Sequence, residues 1–111
     1  MAVRLITGST VTVTAAGTAV IVDTTVPPQK AVSSVLIQAD FANTGRVYVG
    51  DENVTAENGY FLEPGNSIEI SGDNRTLGQD EVILTDLYID ADNAGSKVRV
   101  GFFVKRKGPN W

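Results

Sequence analysis

SSVLIQADFANTGRVYVGDENVTAENGYFLEPGNSIEI, residues 33–70, is the stretch on which the reading of the fold turns. Side chains alternate between the two faces of an extended chain, so Val35, Ile37, Ala39 and Phe41 share one side and predict a buried strand. Asn43-Thr44-Gly45 follows as a turn, because Asn and Gly tolerate the positive φ that most L-residues avoid. Val47 and Val49 then resume the alternation with Arg46 and Tyr48 opposite, which predicts a hairpin. Asn58-Gly59 and Pro64-Gly65 punctuate two further pieces, Tyr60 to Leu62 and Ser67 to Ile70, with Ile68 and Ile70 flanking Glu69.

Outward from this unit the same alternation recurs. Ser9 to Thr14 sets Val11 and Val13 between β-branched threonines, as a half-buried strand requires. Ala15-Ala16-Gly17 turns it back, and Thr18 to Val22, with Val20 and Val22 inward, predicts the return strand of an N-terminal hairpin. Arg4 to Thr7 reads as a short edge strand or a mobile arm. Pro27-Pro28 has no N–H to give to a ladder, so residues 27–30 read as a crossing between edges.

After Ile70, the turn formers of residues 71–78 predict a surface loop. Glu81 to Leu84 reads as a brief pairing segment, and Leu87-Tyr88-Ile89 as a compact strand between Asp86 and Asp90. Lys97 to Lys105 has the cleanest alternation, with Val98, Val100, Phe102 and Val104 on one face and Lys97, Arg99, Phe103 and Lys105 on the other. Apolar residues nowhere recur at helical spacing for more than a turn. The expectation is an all-β, single-domain antiparallel β-sandwich, jelly-roll-like or Greek-key, with about eight short strands and little or no helix. Residues 1–30 form its N-terminal arm or hairpin, 31–104 its core and 105–111 a basic tail.

Composition narrows the chemistry. At 111 residues the chain has one domain's length, enough to remove about 65% of its unfolded surface from water. It has no cysteine and no histidine, so thiolate metal sites, disulfides and the side chain that titrates near neutrality are all missing. The expectation is no enzyme, no cofactor and no bound metal. A short, early-interrupted apolar run at the N-terminus predicts a soluble, cytoplasmic start with no membrane partner. The net charge of −4 argues against nucleic acid, which calls for a basic footprint. Its distribution is uneven. Asp40 to Asp92 holds twelve acidic residues against Arg46 and Arg75, whereas the flanks hold Arg4, Lys30, Lys97, Arg99, Lys105, Arg106 and Lys107 against Asp23. If the two ends meet in space, they make a basic pole.

Individual candidates divide as follows. Asp86, Asp90, Asp92 and Asn93 suggest calcium, but Ala94 and Gly101 stand where an EF-hand needs ligands, so solvated strand ends are the better reading. Asp51, Glu52 and Glu57 lack the apolar cleft that separates the pKa values of a catalytic pair. Ser33 and Ser34 have no histidine to activate them. The sequons at Asn53 and Asn74 read as coincidence. Tyr48, Tyr60, Phe61 and Tyr88 suggest an aromatic platform for a sugar, with Tyr48 and Tyr88 placed away from the core, but core or interface packing is the better reading. Lys105-Arg106-Lys107 with Trp111 reads as an interface anchor, since aromatic residues beside cations are common in protein contacts.

Asn43-Thr44-Gly45-x-Val47-Tyr48-Val49-Gly50, Asn53-Val54, Asn58-Gly59, Leu62-x-Pro64-Gly65-x-Ser67 and Leu87-Tyr88-Ile89 together resemble a group of small β-rich tailed-bacteriophage virion proteins. Capsid decoration (cement) proteins and head-fibre or tail accessory modules are among them. The resemblance spans about Ser33 to Val104. It implies a structural protein on the exterior of the virion capsid, assembled in the host cytoplasm. It also implies a homotrimer seated where subunits of the major capsid protein meet, bracing the shell against genome pressure. Under that reading Arg4, Lys105, Arg106, Lys107 and Trp111 make partner contacts. A tail or fibre module binding carbohydrate through Tyr48 and Tyr88, or binding another virion protein, is the alternative.

Overall fold

A computed structural model describes residues 2–22, 31–71 and 82–106, with side chains described for 10–22, 32–71 and 82–103. The described residues hold ten strands: β1 (Ala2–Val13), β2 (Val20–Ile21), β3 (Ala31–Val32), β4 (Ser34–Ala39), β5 (Val47–Gly50), β6 (Tyr60–Leu62), β7 (Ser67–Ser71), β8 (Val82–Ile83), β9 (Tyr88–Ala91) and β10 (Ser96–Arg106). A single 3-10 turn, Leu84–Asp86, is the helical part of the described residues. The all-β expectation holds.

The strands form two four-stranded antiparallel sheets, β1-β10-β4-β7 and β2-β9-β5-β6, beside a small β3-β8 pair. With that pair set aside, the eight remaining strands take the orders first-eighth-third-sixth and second-seventh-fourth-fifth. This is the interleaving of a jelly roll, in which successive strands step from one layer to the other except at the β5–β6 hairpin, whose two strands pair within one sheet.

Alternation explains the core. Val98, Val100 and Phe102 on β10, Val35, Ile37 and Ala39 on β4, and Val47, Val49, Ile89 and Ala91 from the opposite sheet are all buried. They join Val11, Val13, Val22, Leu62 and Leu84 in one cluster. Burying each of the larger ones contributes about 1.5–3 kcal/mol before chain entropy is subtracted.

Two expected hairpins are replaced by arches. Asn43-Thr44-Gly45 does not fold β5 back onto β4, because β4 pairs with β10 and β7 whereas β5 pairs with β6 and β9. Gly45 lacks the positive φ of a tight hairpin turn. Instead the Asn43 side chain clasps the start of β10. Its Nδ2 donates to the Lys97 carbonyl at 2.9 Å, and its Oδ1 accepts the Lys97 N–H at 2.9 Å. The chain then crosses to the other layer. Likewise β1 pairs with β10 and β2 with β9, so the N-terminal hairpin is an arch turned at Gly17, whose φ of 87° demands glycine. β1 is the edge strand of its sheet along its whole length.

Phe41 is a third correction. Pairing ends at Ala39, and Asp40 starts a turn by accepting the Ala42 N–H on Oδ1 at 3.0 Å. The alternation that would have buried Phe41 is broken, and its ring is 76% exposed.

The expected crossing at 27–30, the loop over 72–78, and Lys107 and Trp111 of the tail lie outside the described residues.

Candidate functional site

The outer face of the β2-β9-β5-β6 sheet carries the densest side-chain chemistry among the described residues. Register sets Tyr48 on β5 between Phe61 on β6 and Asp90 on β9. One step along, Arg46 lies next to Asp92, with backbone and side-chain bonds in both directions. The Arg46 N–H donates to Asp92 Oδ2 at 3.1 Å, and the Asp92 N–H donates to the Arg46 carbonyl at 3.0 Å. Arg46 Nε donates to Glu63 Oε1 at 2.6 Å while its guanidinium carbon sits 4.4 Å from the centre of the Phe61 ring. Cross-strand neighbours of this kind are the stabilising units of a sheet, and a cation over a ring face is attracted by its quadrupole.

Tyr48 is the hub of this cluster and corrects the sequence expectation. Its ring is 6% exposed, so it presents no face to a ligand. The loop 51–59 folds back over it and sinks Val54 into the surface. Gly59 permits that approach: a Cβ there would lie 2.7 Å from Val54 Cγ2 and 2.8 Å from Tyr48 Cβ. The loop holds its own shape, with the Thr55 N–H donating to Asn58 Oδ1 at 2.7 Å and Asn58 Nδ2 to the Asn53 carbonyl at 3.1 Å.

Tyr48 donates its hydroxyl proton to Asp92 Oδ1 at 2.7 Å. That bond, with burial added, pushes the phenol above its ordinary value, because ionising it would put two negative oxygens together. The same bond and the Arg46 N–H hold the Asp92 carboxyl below its usual value. Its hydrogen bond and charge attraction to Glu63 raise the Arg46 guanidinium in turn. These groups tie β5, β6 and the end of β9 together.

Asp90 corrects another expectation. It is 2% exposed, where a solvated strand end was expected. Its Oδ1 accepts the Gly17 N–H at 2.9 Å and the Ala91 N–H at 2.8 Å, which ties the β1–β2 arch to β9. Asp86, Asp92 and Asn93 are exposed as expected. Among the described residues no group of three His, Cys, Asp or Glu is placed to hold a metal ion.

Tyr88 is half-buried at the rim of an open cleft of about 320 Å³, with Asp51, Glu52, Asn53, Thr85 and Asp86 as the other walls. The structure thus separates the two tyrosines that sequence reading paired, one inside and one at a polar cleft. Asp51 Oδ1 is engaged with the Asn53 N–H at 2.9 Å.

The terminal residues converge through backbone pairing. Ala2 is opposite Arg106, Val3 opposite Lys105 and Arg4 opposite Val104, whereas β4 leaves β10 at Phe103. The β1–β10 ladder therefore outruns the third strand and carries Arg4, Lys105 and Arg106 at one end of the sheet. Lys97 and Arg99 stand towards the other end of β10, exposed, so the flanking basic residues among those described make two groups and not one pole.

Sequence reading missed the Arg46–Phe61 stack and the exposure of Phe41. The available signal was Arg46 as one of two cations in an acidic segment, and register alone shows which ring lies beneath it. No protein-family model matches the chain, nor does any curated protein or solved structure.

Proposed function

We propose that this chain is a structural virion protein that binds the outer surface of a bacteriophage capsid and stabilises it, as a homotrimer. The observation that carries the reading is the convergence of Arg4, Lys105 and Arg106 where the β1–β10 ladder runs past its neighbour. A basic end on a stiff two-layer scaffold suits orientation against an acidic shell, since complementary charge steers encounter and fixes register. The interior supports the same reading: its described core is apolar, and the polar cluster on the outer face is consumed in bonds between strands.

Capsids assembled without the protein and then mixed with a chain lacking residues 105–111 should take up at least ~10-fold less of it than of the full chain at equal concentration, a loss of about 1.4 kcal/mol. Undiminished uptake would remove the tail from the contact. The cleft at Tyr88 favours a second reading, a tail or fibre module binding carbohydrate, because a ring edge among carboxylate, amide and hydroxyl groups suits a sugar. Glycan binding that disappears in Tyr88→Ala would replace the capsid reading with this one.

A further inference from the structure

Two surfaces have no role in the capsid contact described above. The first is the edge at β6. Phe41 is 76%, Tyr60 74% and Phe61 55% exposed, and these are the most exposed large apolar side chains among the described residues. Tyr60 and Phe61 lie on β6, the outermost strand of its sheet, bonded on one side to β5. Phe41 lies against the turn that follows, within van der Waals reach of a Cβ built at Gly65. The flanking Glu57 and Glu63 are exposed, and Arg46, already paired with Glu63, is the cation nearby. The edge is aromatic and acidic.

The second surface is the outer face of β10. Lys97 and Arg99 are exposed there, with Thr10 and Thr12 of β1 on one side and Gln38 of β4 beside Arg99 on the other. This strip is polar and cationic. No carboxylate among the described residues forms an ion pair with either cation.

We infer that the two surfaces bind each other between copies of this chain, with the Tyr60–Phe61 edge of one copy seated on the Lys97–Arg99 strip of the next. A cation over an aromatic face gains more as water is excluded, and the chain already uses this contact internally, Arg46 on Phe61. The acidic flank meets the cationic strip with opposite sign, and an edge strand with exposed rings is a surface that folded proteins normally cover. The complementary patches lie on different strands of different sheets, and an interface that takes the edge of one copy and the strip of the next is head-to-tail: it closes into a ring, as in the proposed trimer, or grows into a filament. The inference specifies the contacts of the proposed trimer and in that respect rests on that reading. It is tested without capsids, so its failure leaves capsid binding by a monomer standing, and failed capsid binding leaves the oligomer standing.

Sedimentation velocity decides it on three preparations: the unaltered chain, the edge variant Tyr60→Asp/Phe61→Asp, and the strip variant Lys97→Glu/Arg99→Glu. The unaltered chain should associate, less so at high salt as surface charges are screened. Each variant alone should bind itself at least ~10-fold more weakly. Mixed in equal amounts, the two variants should form a one-to-one dimer and nothing larger, because the pair retains one intact edge and one intact strip. Circular dichroism checks that both are folded, and the milder Phe61→Ser and Arg99→Gln replace either that is not. A monomeric unaltered chain, variants that associate like it, or a mixture that stays monomeric would each overturn the inference.

Discussion

Ile37→Ala lowers the free energy of unfolding by about 3 kcal/mol, with an expected range of about 2–5. Ile37 is fully buried on β4, between Val100 of β10 and Ile68 of β7 in register. Truncation removes three carbons from the centre of a sheet whose neighbours are held by ladders on both sides, so the space closes only in part. Phe41→Ala, four residues on, removes a larger side chain and should cost less than about 0.5 kcal/mol, since that ring is mostly in water. Urea denaturation of the two variants checks the contrast. Equal losses would place Phe41 in the core, as plain alternation has it, and would contradict the turn at Asp40.

Tyr48→Ala is expected to cost about 3–5 kcal/mol, because it empties the space beneath the 51–59 loop and removes the ring that Val54 and Gly59 close over. Tyr48→Phe keeps the packing and loses only the hydroxyl, so its signature is the pH profile. Asp92 has its folded pKa below the ordinary 3.8, so its contribution is present above that value and is lost as pH falls through the lower folded value. Tyr48 has its folded pKa above 10.0, so its contribution is complete below that value and is lost as pH rises through the higher folded one. The unaltered chain should therefore show a stability plateau bounded by an acid arm and an alkaline arm. In Tyr48→Phe the part of the alkaline arm that Tyr48 supplies disappears. The acid arm shrinks without vanishing, because Asp92 still accepts the Arg46 N–H. Thermal melts across pH measure both, and a variant with an unchanged alkaline arm would separate Tyr48 from that transition.

The strands were legible in the sequence and their partners were not. Alternation of Val98, Val100 and Phe102 marks β10 because a two-residue period is local, and a sandwich follows from many such segments without helical spacing. Pairing is a different kind of information. Asn43-Thr44-Gly45 has a hairpin's composition, yet the Asn43 side chain bonds to Lys97, 54 positions away, and the chain turns into an arch. No window around Asn43 contains that partner. The same limit applies to the candidate residues. Tyr48 stands opposite the core face of its own strand, as its parity says, and is buried by a loop that folds over the outside. Asp90 reads as a solvated end until the Gly17 N–H meets it from the β1–β2 arch. The meeting of Arg4 with the end of β10 was foreseen only as a conditional, since it depends on which strands close the sheet.

As proposed, this jelly roll acts by attachment, with the end of its β1–β10 ladder facing a capsid. An image reconstruction of capsids reconstituted with the purified chain tests it most directly. The expected result is two-layer β density on the outside of the shell, at the junctions of capsid subunits, with Arg4, Lys105 and Arg106 towards the shell. Density confined to the tail, bare capsids, or the opposite end of the sandwich against the shell would contradict it.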